Sequence, residues 1–132
     1  MDALTRRGHI KTTRNPDEHL DYVVTLVGLL HFEATQQACQ VNIRYVPDKL
    51  IILHDSFAMY LGALGGTDWT NLEEAATAVL EDLGNELVAR WIQITAFTES
   101  EDAPSTRGHQ VVLVDKQPQW KYAELLARLD TI

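Results

Sequence analysis

The sequence predicts an α+β domain in which two β-rich stretches, two helical stretches and two more β-rich stretches follow one another. Three observations carry that expectation. Residues 20–53 hold two runs dense in Val, Ile and Leu. Residues 55–87 place apolar side chains three and four apart, and residues 90–115 alternate apolar with polar. Two strand pairs with a helix pair between them suggest one antiparallel sheet covered on one face by helices. The opposite face then needs a cover, and a second subunit is the simplest candidate.

Residues 1–19 precede this pattern. Arg6, Arg7, Lys11 and Arg14 fall there without apolar periodicity, and the stretch ends in the breaker "NPD". It is expected to be a mobile N-terminal arm whose order depends on a partner, with residues 20–132 forming a single domain. A chain of 132 residues buries a core without a disulfide or metal staple. Its one cysteine, Cys39, excludes an internal disulfide framework and fits a reducing compartment. With no apolar run of about 20 residues and no apolar leader, a soluble cytoplasmic protein without a membrane partner is expected. The net charge of -8 opposes phosphate backbones, so nucleic acid is not an expected partner.

Leu20–Phe32, "LDYVVTLVGLLHF", reads as a strand because valine is frequent and no clean helical stripe is present, with Gly28 as a bulge. "CQVNIRYV" is the second strand, Val41, Ile43 and Tyr45 facing one way and Asn42 and Arg44 the other. Pro47-Asp48 interrupts it and "KLIIL" continues it to a corner. A first helix runs from Asp55 or Ser56 to about Leu64, burying Phe57, Tyr60, Leu61 and Leu64, until Gly65-Gly66 stops it. A second helix follows "TDWTN". Its apolar face runs from Leu72 to Leu87, Glu73, Glu74, Glu81 and Asp82 belong to the solvated side, and Gly84 is a weak point. "RWIQITAFTE" and "HQVVLVD" are the last strands, "SEDAPSTRG" is the loop between them, and "KYAELLARL" is a short closing helix.

Chemistry has few places to sit. No Gly-rich phosphate loop follows a strand, and the histidines at 9, 19, 31, 54 and 109 show no metal-ligand spacing, so no metal is expected. Cys39 is read as a small buried hydrophobe, with a nucleophilic role as the alternative. At the strand-to-helix corner, Asp55 or Ser56 is expected to cap the first helix, while His54 or Asp55 is a candidate for proton transfer in a cleft. Thr70 and Glu73 have the spacing of a capping box, yet a carboxylate at a helix start is also placed to accept two N–H bonds from an amide-containing ring.

Taken together, "YVPDKLIILHDSFAMYL", "WTNLEEAATAVLEDL", "RWIQITAF" and "STRG" resemble the queuosine-pathway nitrile reductases (QueF) of the tunnelling-fold (T-fold) superfamily. The resemblance covers about residues 28–114. Tyr45, Pro47, Asp48, Ser56, Tyr60 and Leu61 match that family's strand and corner, Glu73 falls on its ring-anchoring glutamate, and Asp82-Leu83 on its Asp-Leu pair. The family's Arg-Gly-Gly becomes Arg107-Gly108-His109.

The resemblance implies a T-fold whose sheets join edge to edge into an oligomeric barrel. It also implies a purine- or pterin-like ligand held between subunits, with Glu73 as its anchor and Ser56 as the matching corner residue; His54 beside Ser56 is read as a further ligand-binding candidate. The catalytic part does not carry over: Leu30 and Gln37 occupy the positions of the family's nucleophilic cysteine and its aspartate, and Leu53, His54 and Asp55 replace its corner Glu-Ser-Lys. The expectation is a homo-oligomeric binding protein without nitrile reductase chemistry. A non-catalytic assembly protein is one alternative, and an NADPH-dependent 7-cyano-7-deazaguanine reductase using Cys39 in a shifted register is another.

Overall fold

In the computed structural model, which describes residues 2–99 and 107–129, a four-stranded antiparallel sheet carries two helices on one face. The chain begins with α1 (Ala3–Arg7) and β1 (Thr12–Arg14). It continues through β2 (Val24–Phe32), β3 (Gln37–Val46) and β4 (Leu50–Ile52) to α2 (His54–Gly65) and α3 (Leu72–Leu87), and ends with β5 (Trp91–Glu99), β6 (Gly108–Lys116) and α4 (Ala123–Arg128). The main sheet has the order β2-β3-β5-β6, and β1 pairs with β4 in a separate two-stranded ladder. The loop expected at "SEDAPSTRG" lies largely outside the described residues.

The period-2 pattern explains the main core. Val41, Ile43 and Tyr45 of β3 and Ile92, Ile94 and Ala96 of β5 are buried on the helix-covered face, where Phe57, Tyr60, Leu61 and Leu64 of α2 and Leu72, Val79, Leu83 and Leu87 of α3 meet them. Among the described residues the other face is covered at one end only. There Leu125, Leu126 and Leu129 pack with Val46 and Trp91, and the Arg44 guanidinium donates to the Leu129 carbonyl. Beyond α4, cross-strand rows on this face leave Val27, Leu29, Phe97, Val112 and Val114 exposed.

Several expectations change. Gly28 is not a bulge, since β2 and β3 pair without interruption from Val24 to Phe32. A Cβ at Gly28 would stand 2.4 Å from Leu61 Cδ1 and 2.8 Å from Phe57 Cε2, so the residue admits α2 onto the strand. β4 does not extend the main sheet: past Pro47 the chain turns off to pair with β1. Neither Asp55 nor Ser56 caps α2, whose N-cap is Leu53 without a side-chain bond. Ser56 instead accepts the Lys11 N–H at 3.0 Å and donates to the Leu53 carbonyl at 2.8 Å, while Asp55 is fully exposed.

The N-terminal segment has a place in the fold. β1 pairs with β4 through Thr12–Ile52 and Arg14–Leu50, the Asn15 side chain donates to the Asp48 carbonyl at 2.8 Å, and Ile10 is buried in the main core. Asp82, read as part of the solvated side of its helix, is instead fully buried. Its carboxylate accepts from Arg6 Nε at 2.9 Å, Arg7 Nε at 2.9 Å and the Tyr60 hydroxyl at 2.6 Å. Charges brought in by a segment 75 residues away satisfy a carboxylate that a lone amphipathic helix would have turned outward.

Gly65 marks the closest approach of α2 to the sheet. A Cβ there would lie 2.1 Å from the backbone oxygen of His31, an atom that cannot rotate aside, and the Gly65 carbonyl accepts the Glu33 N–H at 3.0 Å. Gly62 and Gly84 face open space in their helices. Urea unfolding should therefore show Gly65→Ala destabilised by about 1–3 kcal/mol. Gly62→Ala and Gly84→Ala should each gain about 0.5–1 kcal/mol from helix propensity.

Candidate functional site

The ends of three connections meet at one end of the main sheet and line a cavity of about 370 Å³. Phe32 and Thr35 come from the β2–β3 turn, Trp69 and Asn71 from the α2–α3 connection, and Thr98 and His109 from the facing ends of β5 and β6. Strand register explains the last pair. Leu30, Cys39, Thr98 and His109 form one row across all four strands, with their side chains on the helix-covered side. The row is buried at Leu30, Cys39 and Thr98 and reaches solvent at His109.

The start of α3 supplies the carboxylate beside it. The helix is capped by Asn71, whose extended backbone (φ -158°) lets its side chain accept the Glu74 N–H at 2.8 Å. The cap is thus Asn71 rather than the expected Thr70, and Glu73 is not needed as the third residue of a Thr70 capping box. Its Oε1 lies 2.6 Å from His109 Nε2, both side chains being about half exposed. His109 lines the cavity, whereas Glu73 lines the neighbouring groove along α3. The imidazole therefore stands between the carboxylate and the cavity.

Trp69 and Asn71 line both recesses. The indole Nε1 donates to the Leu64 carbonyl at 2.9 Å, and the Arg6 guanidinium lies 5.4 Å from the ring centroid. The cavity consequently has aromatic walls at Phe32 and Trp69, with hydroxyl, amide and imidazole groups around them.

The other sequence-derived candidates lie elsewhere. His54, Asp55 and Ser56 line a shallow groove with His9 and Lys11, and His54 Nδ1 is 3.9 Å from Asp55 Oδ1 on the exposed surface. Within one chain the structure does not bring His54 and Glu73 into a common recess. Leu30, at the position of the family's nucleophile, is a core residue, while Gln37 lines the cavity. Cys39 is fully buried, and desolvation pushes its thiol up to about 11. A nucleophile needs a reachable thiolate, and this thiol is neither ionised near neutral pH nor accessible. Among the described residues no group of His, Cys, Asp or Glu side chains is arranged to hold a metal ion, and no helix is long and apolar enough to cross a membrane.

His109 was not singled out as a ligand group from the sequence. A lone histidine beside a loop carries no spacing signal, and its role depends on pairing between β5 and β6.

No protein-family model matches the chain, and no curated protein does. Among solved structures, the chain is similar to the archaeosine synthase QueF-Like in its apo form. The TM-score is 0.52 at 14% identity, over 71% of this chain and 89% of that one. The likeness shows that the chain has a QueF-like fold.

Burial of Cys39 has a consequence for pH. Its pKa is raised on folding, so the unfolded chain ionises first as pH climbs. The associated stabilisation is present below the ordinary value of 9.0 and is lost as pH rises towards about 11. Cys39→Ala should flatten that part of the stability profile. A thiol reagent at pH 8 should leave folded wild-type protein unmodified and label it once urea unfolds it.

Proposed function

We propose that the chain binds a planar heterocycle of the purine or pterin class in the cavity at the sheet end, on a T-fold framework, without nitrile reductase chemistry. The observation that carries this reading is the Glu73–His109 pair at the cavity mouth, made available because Asn71 takes over the capping of α3. A fused ring presents two apolar faces, which suit Phe32 and Trp69, and an edge of N–H and C=O groups, which suits an imidazole backed by a carboxylate. Glu73 Oε1 meets His109 Nε2, so on this reading the imidazole faces the ring edge and the carboxylate orients it from the neighbouring groove. With Leu30 at the nucleophile position and Cys39 buried, no thioimide would form, so this reading has no use for NADPH.

The subunit-interface form of this reading supposes that a neighbouring copy brings its His54–Ser56 groove to the cavity. It is favoured by two edge strands, β2 and β6, that have no further partner among the described residues. A second reading, a non-catalytic assembly protein, is favoured by the exposed apolar residues on the open sheet face.

Thermal unfolding with guanine and pterin separates the readings. On the binding reading a probe at a hundredfold excess over its Kd raises the wild-type Tm by roughly 5–10 °C. The shift is absent in Glu73→Gln, whose Tm without probe stays at the wild-type value. A stable oligomer by native mass measurement, with no shift by either probe, supports assembly instead.

A further inference from the structure

The basic N-terminal segment meets the outer side of the cavity wall through Arg6. Arg6 is nearly buried, and its Nε and Nη2 donate to Asp82 at 2.9 and 3.4 Å, gripping the carboxylate side-on. Asp82 is fixed in turn by the Tyr60 hydroxyl on α2 and by Arg7. The guanidinium plane is therefore set from the core side, and it lies over the Trp69 ring. Trp69 separates the groove that Arg6 lines from the cavity that His109 lines. The indole is held by its Nε1 bond to the Leu64 carbonyl and by packing against the main core. Arg6 covers the ring from the side of the N-terminal segment.

We propose that Arg6 is a positioning residue for the cavity wall: by stacking on Trp69 it couples docking of α1 to the shape of the ligand site. Lifting α1 frees the indole to tip into or away from the cavity. A planar ligand held against Trp69 favours the docked segment by the same free energy, because coupling between two sites is reciprocal. The ligand half of this inference rests on the proposed binding function. The wall-positioning half does not.

Arg7 supplies the internal control, since it shares Asp82 with Arg6 but has no ring contact with Trp69. The test uses the full chain labelled with 5-fluorotryptophan. Its three tryptophans give three fluorine resonances, and Trp69→Phe assigns one of them. Arg6→Met should shift or broaden the Trp69 resonance while leaving those of Trp91 and Trp120 in place, and Arg7→Met should leave all three near their wild-type positions. A Trp69 resonance unchanged in Arg6→Met, or displaced equally by Arg7→Met, overturns the proposal.

Should Arg6→Met fail to fold, limited trypsin digestion of wild-type protein provides a second route, because cleavage after Arg6 and Arg7 reads the undocked segment. Saturating pterin or guanine, whichever gives a thermal shift, should slow that cleavage roughly 5-fold or more. A bound probe that leaves the cleavage rate unchanged overturns the coupling. If neither probe binds, the proposed function fails by itself, and the fluorine experiment, made with Arg6→Gln where Arg6→Met does not fold, still decides the role of Arg6.

Discussion

The fully buried carboxylate of Asp82 joins parts of the chain that local sequence does not join. It accepts from Arg6 and Arg7 of α1 and from Tyr60 of α2, while itself belonging to α3. A lone carboxylate in that position would be prohibitively costly, so all three elements must be present for any of them to sit as they do. The partners show the same constraint in their ionisation. The hydrogen bond to Asp82 raises the Arg6 pKa above its ordinary value, and burial, reinforced by Asp82, pushes the Tyr60 phenol far above its own. Tyr60 therefore stays a neutral donor and Arg6 a permanent cation.

From this anchor the site can be followed outwards. Tyr60 ties α2 against α3, and Gly65 lets the end of α2 reach the His31 carbonyl of β2, which fixes where the α2–α3 connection crosses the sheet end. That connection carries Trp69 and then Asn71, whose capping bond sets the first turn of α3 and leaves Glu73 facing His109. The strand row from Leu30 to His109 delivers the imidazole to the same place. Cavity, aromatic wall and carboxylate–imidazole pair thus follow from one packing arrangement. The groove at His54 is set separately, by the hold of Ser56 on Lys11 and Leu53.

The main layer was legible in the sequence because its signals are local. Alternation in "QVNIRYV" and "WIQITAF" and the three-and-four spacing after Asn71 each identify an element and its buried face without reference to the rest of the chain. What escaped depends on distant partners. α1 and β1 are short and basic, and only the β4 ladder and Asp82 give them order, so their residues alone read as an arm. Asp82 looked solvated because its cations come from the other end of the sequence. The capping box failed by one position: both Thr70-x-x-Glu73 and Asn71-x-x-Glu74 satisfy the pattern, and backbone geometry, which sequence spacing does not encode, selects the second. Of the candidate site, Glu73 was visible as a choice between cap and ligand, and His109 was visible only once the strands were paired.

The Arg6–Asp82 contact organises the fold rather than decorating it. A double-mutant cycle with Arg6→Met, Asp82→Asn and the pair, each followed by urea unfolding, measures that coupling. Each single change should cost about 3–5 kcal/mol, as expected when one member of a buried ion pair is removed. The double variant should be less destabilised than the sum of the two by more than about 1 kcal/mol. Additivity within about 0.5 kcal/mol would show that the two residues act independently and would contradict the account.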